Sequence, residues 1–473
     1  GVGYRTRFES GISHFRLALP CIARIMAGRR GVTRQLGQFL AAQPTTPIPK
    51  DVLHLGKRSL LNALAVALSA SGQESSKALI RWARSESAAN KAIIIGTDGI
   101  RSSPGTAALV NGFLIHLQDY DDTHFPTILH PSAPVWPAVL SAAEDVDASG
   151  AQVLAAGILG LEVACRVAMS VHPWHYDMGW HITGTAGVFG AAAGAIAVLG
   201  LGEEQAVHAM GLAGTFAAGV REVFGTHGKA MHAGRSAQAG LDAARWAQAG
   251  LEGPEDIIGG RRGFWAVHSP NGHSRDALVG SLGSHWECRM NALKPFANGI
   301  VSHPLQDAAI RLRTEYDVRP EDVSSIDARV HPLVLELMDN PDPRTGLQGK
   351  FSHQHCIAAA FVDGAGHDAQ FTDEKVRDPV ISSLRGKVVA EVSPEIREEE
   401  AKLGVTLKDG RRLEQHVDRA IGSPENPMTD QQVEAKFREI AGLPSQTRSD
   451  EIIRNVWSIE DAPSIGRALL RLI

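Results

Sequence analysis

The fourteen residues DYDDTHFPTILHPS, Asp119 to Ser132, carry three carboxylates, two histidines and the hydroxyls of Thr123, Thr127 and Ser132. Apolar stretches of helical spacing flank them on both sides. A polar loop between two core helices makes sense where it lines a buried pocket for a charged ligand. His130-Pro131-Ser132 opens the following helix: Pro131 suits a first turn, Ser132 can cap, and a helix N-terminus attracts an anion. Asp119 and Asp122 are three apart and share a face if the preceding helix runs on through them. The alternative is that Asp119, Asp122 and Ser132 only cap helix ends.

Three other stretches offer partners. His181 stands just ahead of the Ala/Gly-rich run ITGTAGVFGAAAGAIAVLGLG. A histidine at a helix start meets the positive end of the helix dipole, which disfavours imidazolium and keeps a neutral ring able to act as a base. A satisfied, half-buried histidine is the plainer alternative. HGKAMHAGRSAQAG places Lys229, His232 and Arg235 in a Gly-rich turn entering a helix, where cations beside exposed amides suit a carboxylate or phosphate. LKPFANGIVSHPLQDAA puts Lys294 and His303 at an expected domain junction, and GKFSHQH adds Lys350, Ser352 and His353. Several cations with several neutral-capable bases suit proton chemistry at carbon on a multiply charged carboxylate. No metal site is expected. His172, His175, Asp177 and His181 match no standard ligand spacing, and no Walker A, GxGxxG, HExxH or GxSxG stretch occurs.

The elements that must hold these side chains follow from periodicity. From Lys50 to about Leu251 the pattern is helical, broken by short Gly, Pro or Ser stretches, and predicts an all-α domain. After about Lys294 the texture changes. VSSIDARV and GKVVAEV alternate like strands, and GVTLKDGRRLEQHV predicts a hairpin turning at Asp409-Gly410. Helical stretches lie between them, so residues 295–420 form a smaller α+β domain. The tail, with TDQQVEAKFREIAG, is helical again and is expected to pack back on the first domain. The division is therefore 36–294 plus 421–473 for a discontinuous helical domain, and 295–420 for a lid.

At 473 residues two domains are the default. The net charge of -5 points to no nucleic-acid or acidic-membrane partner. Four dispersed cysteines, with no CxxC pair, fit a reducing compartment rather than a disulfide framework. The uncharged run from Ile182 to Gly202 reads as a buried core helix, since its Ala/Gly content makes it a poor membrane span. Residues 1–35 hold seven arginines and one acid among interleaved apolar residues, the make-up of a mitochondrial transit segment or of an ordinary basic extension. The expected location is the cytoplasm or the mitochondrial matrix.

The motifs DYDDTH…HPS, GWHITGTAGVFGAAAGAIAVLGL, GKAMHAGRSAQAG, LKPFANGIVSHPLQDA and MDNPDPRTGLQGKFS, in that order, resemble the MmgE/PrpD family over roughly residues 36–440. That family includes 2-methylcitrate dehydratase, cis-aconitate decarboxylase and iminodisuccinate epimerase. The resemblance implies a helical domain plus lid, a homodimer, no cofactor, and an active site between domain and lid. It assigns Asp119, Thr123 and His130 to the acidic–histidine loop, His181 to the WH motif, Lys229 to K-x-x-H-x-G and Lys294 to the lysine opening the lid. One position departs: animal-type decarboxylases carry a further histidine five residues after that lysine, where this chain has Gly299. The expected activity is dehydration of a 2-alkylcitrate, with decarboxylation of cis-aconitate type or epimerisation of iminodisuccinate type as the alternative. A non-catalytic helical scaffold is a second alternative. The expected catalytic set is His181 as base, His130 as acid, Asp119, Lys229 and Lys294. Thr123, Ser132, Arg235, His303 and Lys350 are expected to bind substrate.

Overall fold

A computed structural model describes residues 31–42, 47–86 and 90–473. The basic segment therefore lies outside the described residues as far as residue 30. Arg34 does not belong to an extension: it sits in the first helix and pairs with Glu203 and Glu204 at 3.3 and 2.6 Å.

The helical body contains α1 (Val32–Ala42), α2 (Lys50–Ser71), α3 (Glu74–Glu86), α4 (Pro104–Leu117), α5 (Ser132–Asp145), α6 (Gly150–Val171), α7 (Ile182–Leu199), α8 (Glu203–Gly214) and α9 (His227–Gln248), with the short antiparallel pair β1 (Ala92–Ile93) and β2 (Arg101–Ser102) ahead of α4. At its centre α7 packs on α5, α6 and α9, while α9 also packs on α4. The small residues explain how these helices approach so closely. A Cβ on Gly190 of α7 would sit 2.7 Å from the Gly160 carbonyl oxygen of α6, and one on Gly160 would sit 2.8 Å from the Gly190 oxygen. Backbone meets backbone there, and any side chain would force the helices apart. Both α6 and α7 are long and apolar enough to cross a membrane, but 89% of each apolar window is buried inside the fold.

The smaller part is built on a four-stranded sheet of order β6-β5-β7-β8, with β5 (Val323–Val330), β6 (Val388–Val392), β7 (Ala401–Leu407) and β8 (Arg412–Val417). The β7–β8 hairpin turns where expected, with Gly410 at φ 89°. Strands β5 and β6 are parallel, so the chain between them must cross over. Helices α11 (Pro332–Met338) and α12 (His353–Asp363) lie in that crossover, and α12 packs on α10 (His303–Tyr316). The tail helices α13 (Asp430–Ile440) and α14 (Gln446–Trp457) pack on α2.

One small structure joins the two parts. Strand β3 (Asp122–His124) pairs antiparallel with β4 (Asn291–Leu293), opposing Asp122 to Leu293. This register sets Lys294 beside the acidic loop that precedes β3.

Candidate active site

Helix α4 ends at Leu117, short of the acidic residues. Asp119 then takes a φ of 51°, in the left-handed region that non-glycine residues seldom adopt. Asp119 and Asp122 therefore do not share a helical face, contrary to the sequence-based expectation. They serve different ends. Asp122 accepts from the Ser132 backbone N–H at 3.1 Å and from its hydroxyl, capping α5 from across the loop. Ser132 is itself the first residue of α5, and Pro131, not Ser132, occupies the cap position. The anion at this helix N-terminus is thus the protein's own. Burial, and then Asp121, push the Asp122 carboxyl up to about 6.

Asp119 turns instead into a cavity of about 30 Å³. Its Oδ1 accepts from Lys229 Nζ at 2.9 Å and from Lys294 Nζ at 2.8 Å, while Oδ2 finds no hydrogen-bond partner among the described residues. Burial works to raise the Asp119 pKa, but Lys229 and Lys294 overcome it and hold the group well below the ordinary carboxylate range. Lys229 lies in the first turn of α9, and its own pKa is lowered by burial.

Two histidines complete the polar wall. His130 Nδ1 lies 2.7 Å from the Asp122 carbonyl oxygen, which can only accept, so Nδ1 carries the proton and Nε2 is bare. That Nε2 is 4.0 Å from Asp119 Oδ1. Thr123 stands behind His130, with its hydroxyl 3.2 Å from Nδ1. His181 occupies the N-cap position of α7, with no capping bond from its side chain. Its Nδ1 lies 3.0 Å from His232 Nδ1, and its Nε2 is buried without a partner among the described residues. Burial is the first cause holding both rings neutral. Lys294 and Lys229 add to it for His130, and His116 and Lys229 for His181.

The opposite wall comes largely from the lid and is apolar: Ile300, Val301, Leu337, Met338 and Phe351, with Phe224 from the helical body beside them. Gly299 also lines it, and a Cβ there would meet Met338 Sδ at 2.4 Å. The methionine thus fills the space into which a side chain at position 299 would project.

Five sequence-predicted residues converge on this cavity: Asp119, His130, His181, Lys229 and Lys294. The remaining five do not line it. Arg235 faces solvent on α9, one turn and a half beyond Lys229, and bonds Gln238 at 2.6 Å. Lys350 spends its three donors on the Gln118 and Ala297 carbonyls and Asp368, at 2.7 to 2.8 Å, and so clamps lid to helical body. His303 is buried against Phe296, and burial drives its pKa down to about 3. Thr123 and Ser132 support His130 and Asp122 from behind.

Sequence reasoning missed the apolar lid wall, His116 and Lys436, whereas Tyr176, from the aromatic stretch HPWHYDMGW ahead of His181, does line the cavity. His116 bonds Asp121 at 2.8 Å and its ring lies 4.7 Å from that of His130 and 5.8 Å from that of His181. Lys436 comes from α13, and its buried Nζ donates to Asn62 Oδ1 and to the Tyr120 and Lys294 carbonyls, each at 2.8 Å. It braces the backbone on either side of the site. Its helical pattern was plain, but nothing in the pattern says that one lysine faces inward.

His116, Asp119, Asp121 and His130 bring ligand atoms within 4.8 Å of one another. A cation there would face two ammonium groups already bound to Asp119, so the electrostatics oppose a metal. The histidines of HPWHYDMGWH do not converge either. His175 uses both ring nitrogens, on the His268 carbonyl and the Thr185 hydroxyl, at 2.8 and 2.7 Å.

Comparison with known proteins agrees with this architecture. Residues 34–275 match the MmgE/PrpD N-terminal domain and residues 296–459 the MmgE/PrpD C-terminal domain. Similar proteins include the cis-aconitate decarboxylases of Homo sapiens, 28% identical over 87% of this chain and 88% of the relative, and of Mus musculus, 26% identical over 91% of each. Cis-aconitate decarboxylase of Aspergillus terreus is 26% identical, over 91% of this chain and 94% of the relative. On both domain matches, the chain belongs to the MmgE/PrpD family.

Proposed function

We propose that the protein is a cofactor-independent lyase that decarboxylates an unsaturated, cis-aconitate-type polycarboxylate. This reverses the order of preference expected from the sequence, where dehydration of a 2-alkylcitrate came first. The names of the similar proteins support the change. The observation that carries it is the contrast between the two walls of the cavity: Lys229, Lys294, Asp119 and two neutral histidines face an apolar lid.

Decarboxylation uses such a contrast. A carboxylate pressed against Val301, Leu337, Met338 and Phe351 loses its hydration with no charged partner, and relieves that cost by leaving as neutral CO2. The electron pair of the breaking C–C bond moves through the double bond towards a retained carboxylate. Lys229 and Lys294 stabilise the charge that develops there, which is usually the largest electrostatic contribution to such a step. A proton must then reach carbon. His130 has its only proton committed to the Asp122 carbonyl, so in its neutral form it accepts, and the donor is His181 through Nε2. A dehydratase would need an acid facing the departing hydroxide, and the lid wall supplies none among its cavity-lining residues.

The test is direct. Purified protein is incubated separately with cis-aconitate, 2-methylcitrate and iminodisuccinate, with CO2 release and product NMR as readouts. CO2 from cis-aconitate supports the reading. Turnover of 2-methylcitrate with none of cis-aconitate overturns it.

A further inference from the structure

The small cavity poses a supply problem. His181 is buried, and the narrow space beside it admits few waters to bring a proton to the ring from bulk solvent. Among the described residues its ring hydrogen-bonds at Nδ1, 3.0 Å from Nδ1 of His232, a half-buried ring on α9. Two imidazole nitrogens at that distance share one proton, since a nitrogen pair with none, or with one on each, would repel.

The surroundings are built around this pair. The Gly219 carbonyl accepts from the His181 backbone N–H at 3.0 Å, and Gly219 itself, at φ 131°, leaves space for the His232 ring. A Cβ there would come within 2.9 Å of His232 Nδ1. One glycine therefore seats both histidines. Burial and neighbouring His116 lower the His232 pKa, so the contact joins two neutral rings.

We infer that His232 is a positioning and relay residue: it donates Nδ1–H to His181 Nδ1, fixes the Nε2–H tautomer of His181, and carries solvent protons to it. In the reacting complex His181 Nε2–H passes to the carbanion carbon and forms the C–H bond. The His232 Nδ1 proton moves to His181 Nδ1, and a solvent proton adds to His232 Nε2. One proton enters and one is consumed. Once product has left the cavity, water reprotonates His181 Nε2, the Nδ1 proton returns to His232, and His232 Nε2 releases its proton to solvent, which restores both rings. The inference rests on His181 as the proton donor of the proposed reaction.

Two measurements test it. The first needs no substrate. In the resting full-length protein, 15N NMR of the histidine side chains should show His181 protonated at Nε2 and bare at Nδ1. In His232→Phe, which removes the donor and keeps a ring, that tautomer preference should be lost. A wild-type His181 protonated at Nδ1 overturns the inference, whatever the substrate proves to be. The second is kinetic. His232→Gln should lower kcat by about ten- to a hundredfold, within the contribution of a positioned proton donor, and change KM by less than about threefold. His232→Ala should lose activity similarly and regain it in added imidazole. A folded His232→Ala whose lost activity imidazole does not restore, or a His232→Gln with wild-type kcat, overturns the relay. Absence of CO2 release by the wild type would count against the proposed reaction alone, because the tautomer measurement still decides the role of His232.

Discussion

Replacing Lys229 by methionine keeps the length of the side chain and removes its charge, and the structure fixes several consequences at once. Two unit charges about 4 Å apart attract by about 4 kcal/mol at an effective dielectric constant of about 20. The Lys229 ammonium sits 2.9 Å from Asp119 Oδ1, but Lys294, at 2.8 Å from the same oxygen, remains. The loss of stability should therefore fall at the low end for breaking a buried pair, about 3 kcal/mol. The loss of activity should be of similar size in free energy: about a hundredfold or more in kcat/KM, the scale of removing one electrostatic contact to developing charge. The pH dependence follows in sign. Lys229 helps hold Asp119 as a carboxylate, and it helps keep His130 and His181 neutral. Without it all three pKa values rise, so each group takes up a proton at a higher pH than in the wild type. The acid side of the pH–rate profile must move upward. Circular dichroism and thermal melting establish that the variant folds, and CO2 release from cis-aconitate between pH 5 and 8 gives the profile. A folded variant with kcat/KM within about fivefold of wild type, or with an unmoved acid limb, refutes the reasoning.

Further outcomes are expected. Asp119→Asn leaves two buried ammonium groups without their counter-charge, and should destabilise the protein by about 3–5 kcal/mol and abolish turnover; a melting temperature equal to wild type would be inconsistent with the bridging role. Met338→Gln offers a hydrogen-bond donor to the leaving carboxylate, and should lower kcat by about tenfold while the fold persists; unchanged kcat would show that the apolar wall does not drive CO2 loss. Stability should fall on acidification below about pH 6.5, because His130, His181, His175, His303 and His355 all have folded-state pKa values depressed by burial. Their unfolded forms bind protons first, so each costs about 1 kcal/mol between pH 6.5 and 5.5, and a melting temperature flat over that range would contradict it.

The sequence made some of this legible because certain signals are local. Strands β5, β6, β7 and β8 announce themselves by alternation and by the Asp409-Gly410 turn, and α13 by its apolar spacing. Asp119, His130, His181, Lys229 and Lys294 stand out because ionisable residues beside apolar helices need a reason to be there. What could not be read depends on direction. Arg235 and Lys229 sit on one helix, yet a displacement of six residues turns Arg235 to solvent and leaves Lys229 in the cavity. Asp122 resembles Asp119 in every local respect. Only the backbone reversal at Asp119 and the pairing of β3 with β4 send one carboxylate into the cavity and the other to a helix end. The apolar wall was hidden because Val301, Leu337, Met338 and Phe351 look like ordinary core until the crossover between parallel strands lays them over the site.

The brace formed by Lys436 has a consequence for biosynthesis. Every residue that lines the cavity lies at or before Phe351, so translation supplies all of the reacting groups early. The ammonium that ties Asn62, Tyr120 and Lys294 together arrives only with α13. Until then the nascent chain holds three carbonyl oxygens with no shared donor, and the loop carrying Asp119 is held by the β3–β4 pairing and by Lys294 without that central brace. The site therefore matures late, as α13 docks on α2, and a frameshift between residues 352 and 429 should yield a chain that contains every reacting side chain and turns over nothing.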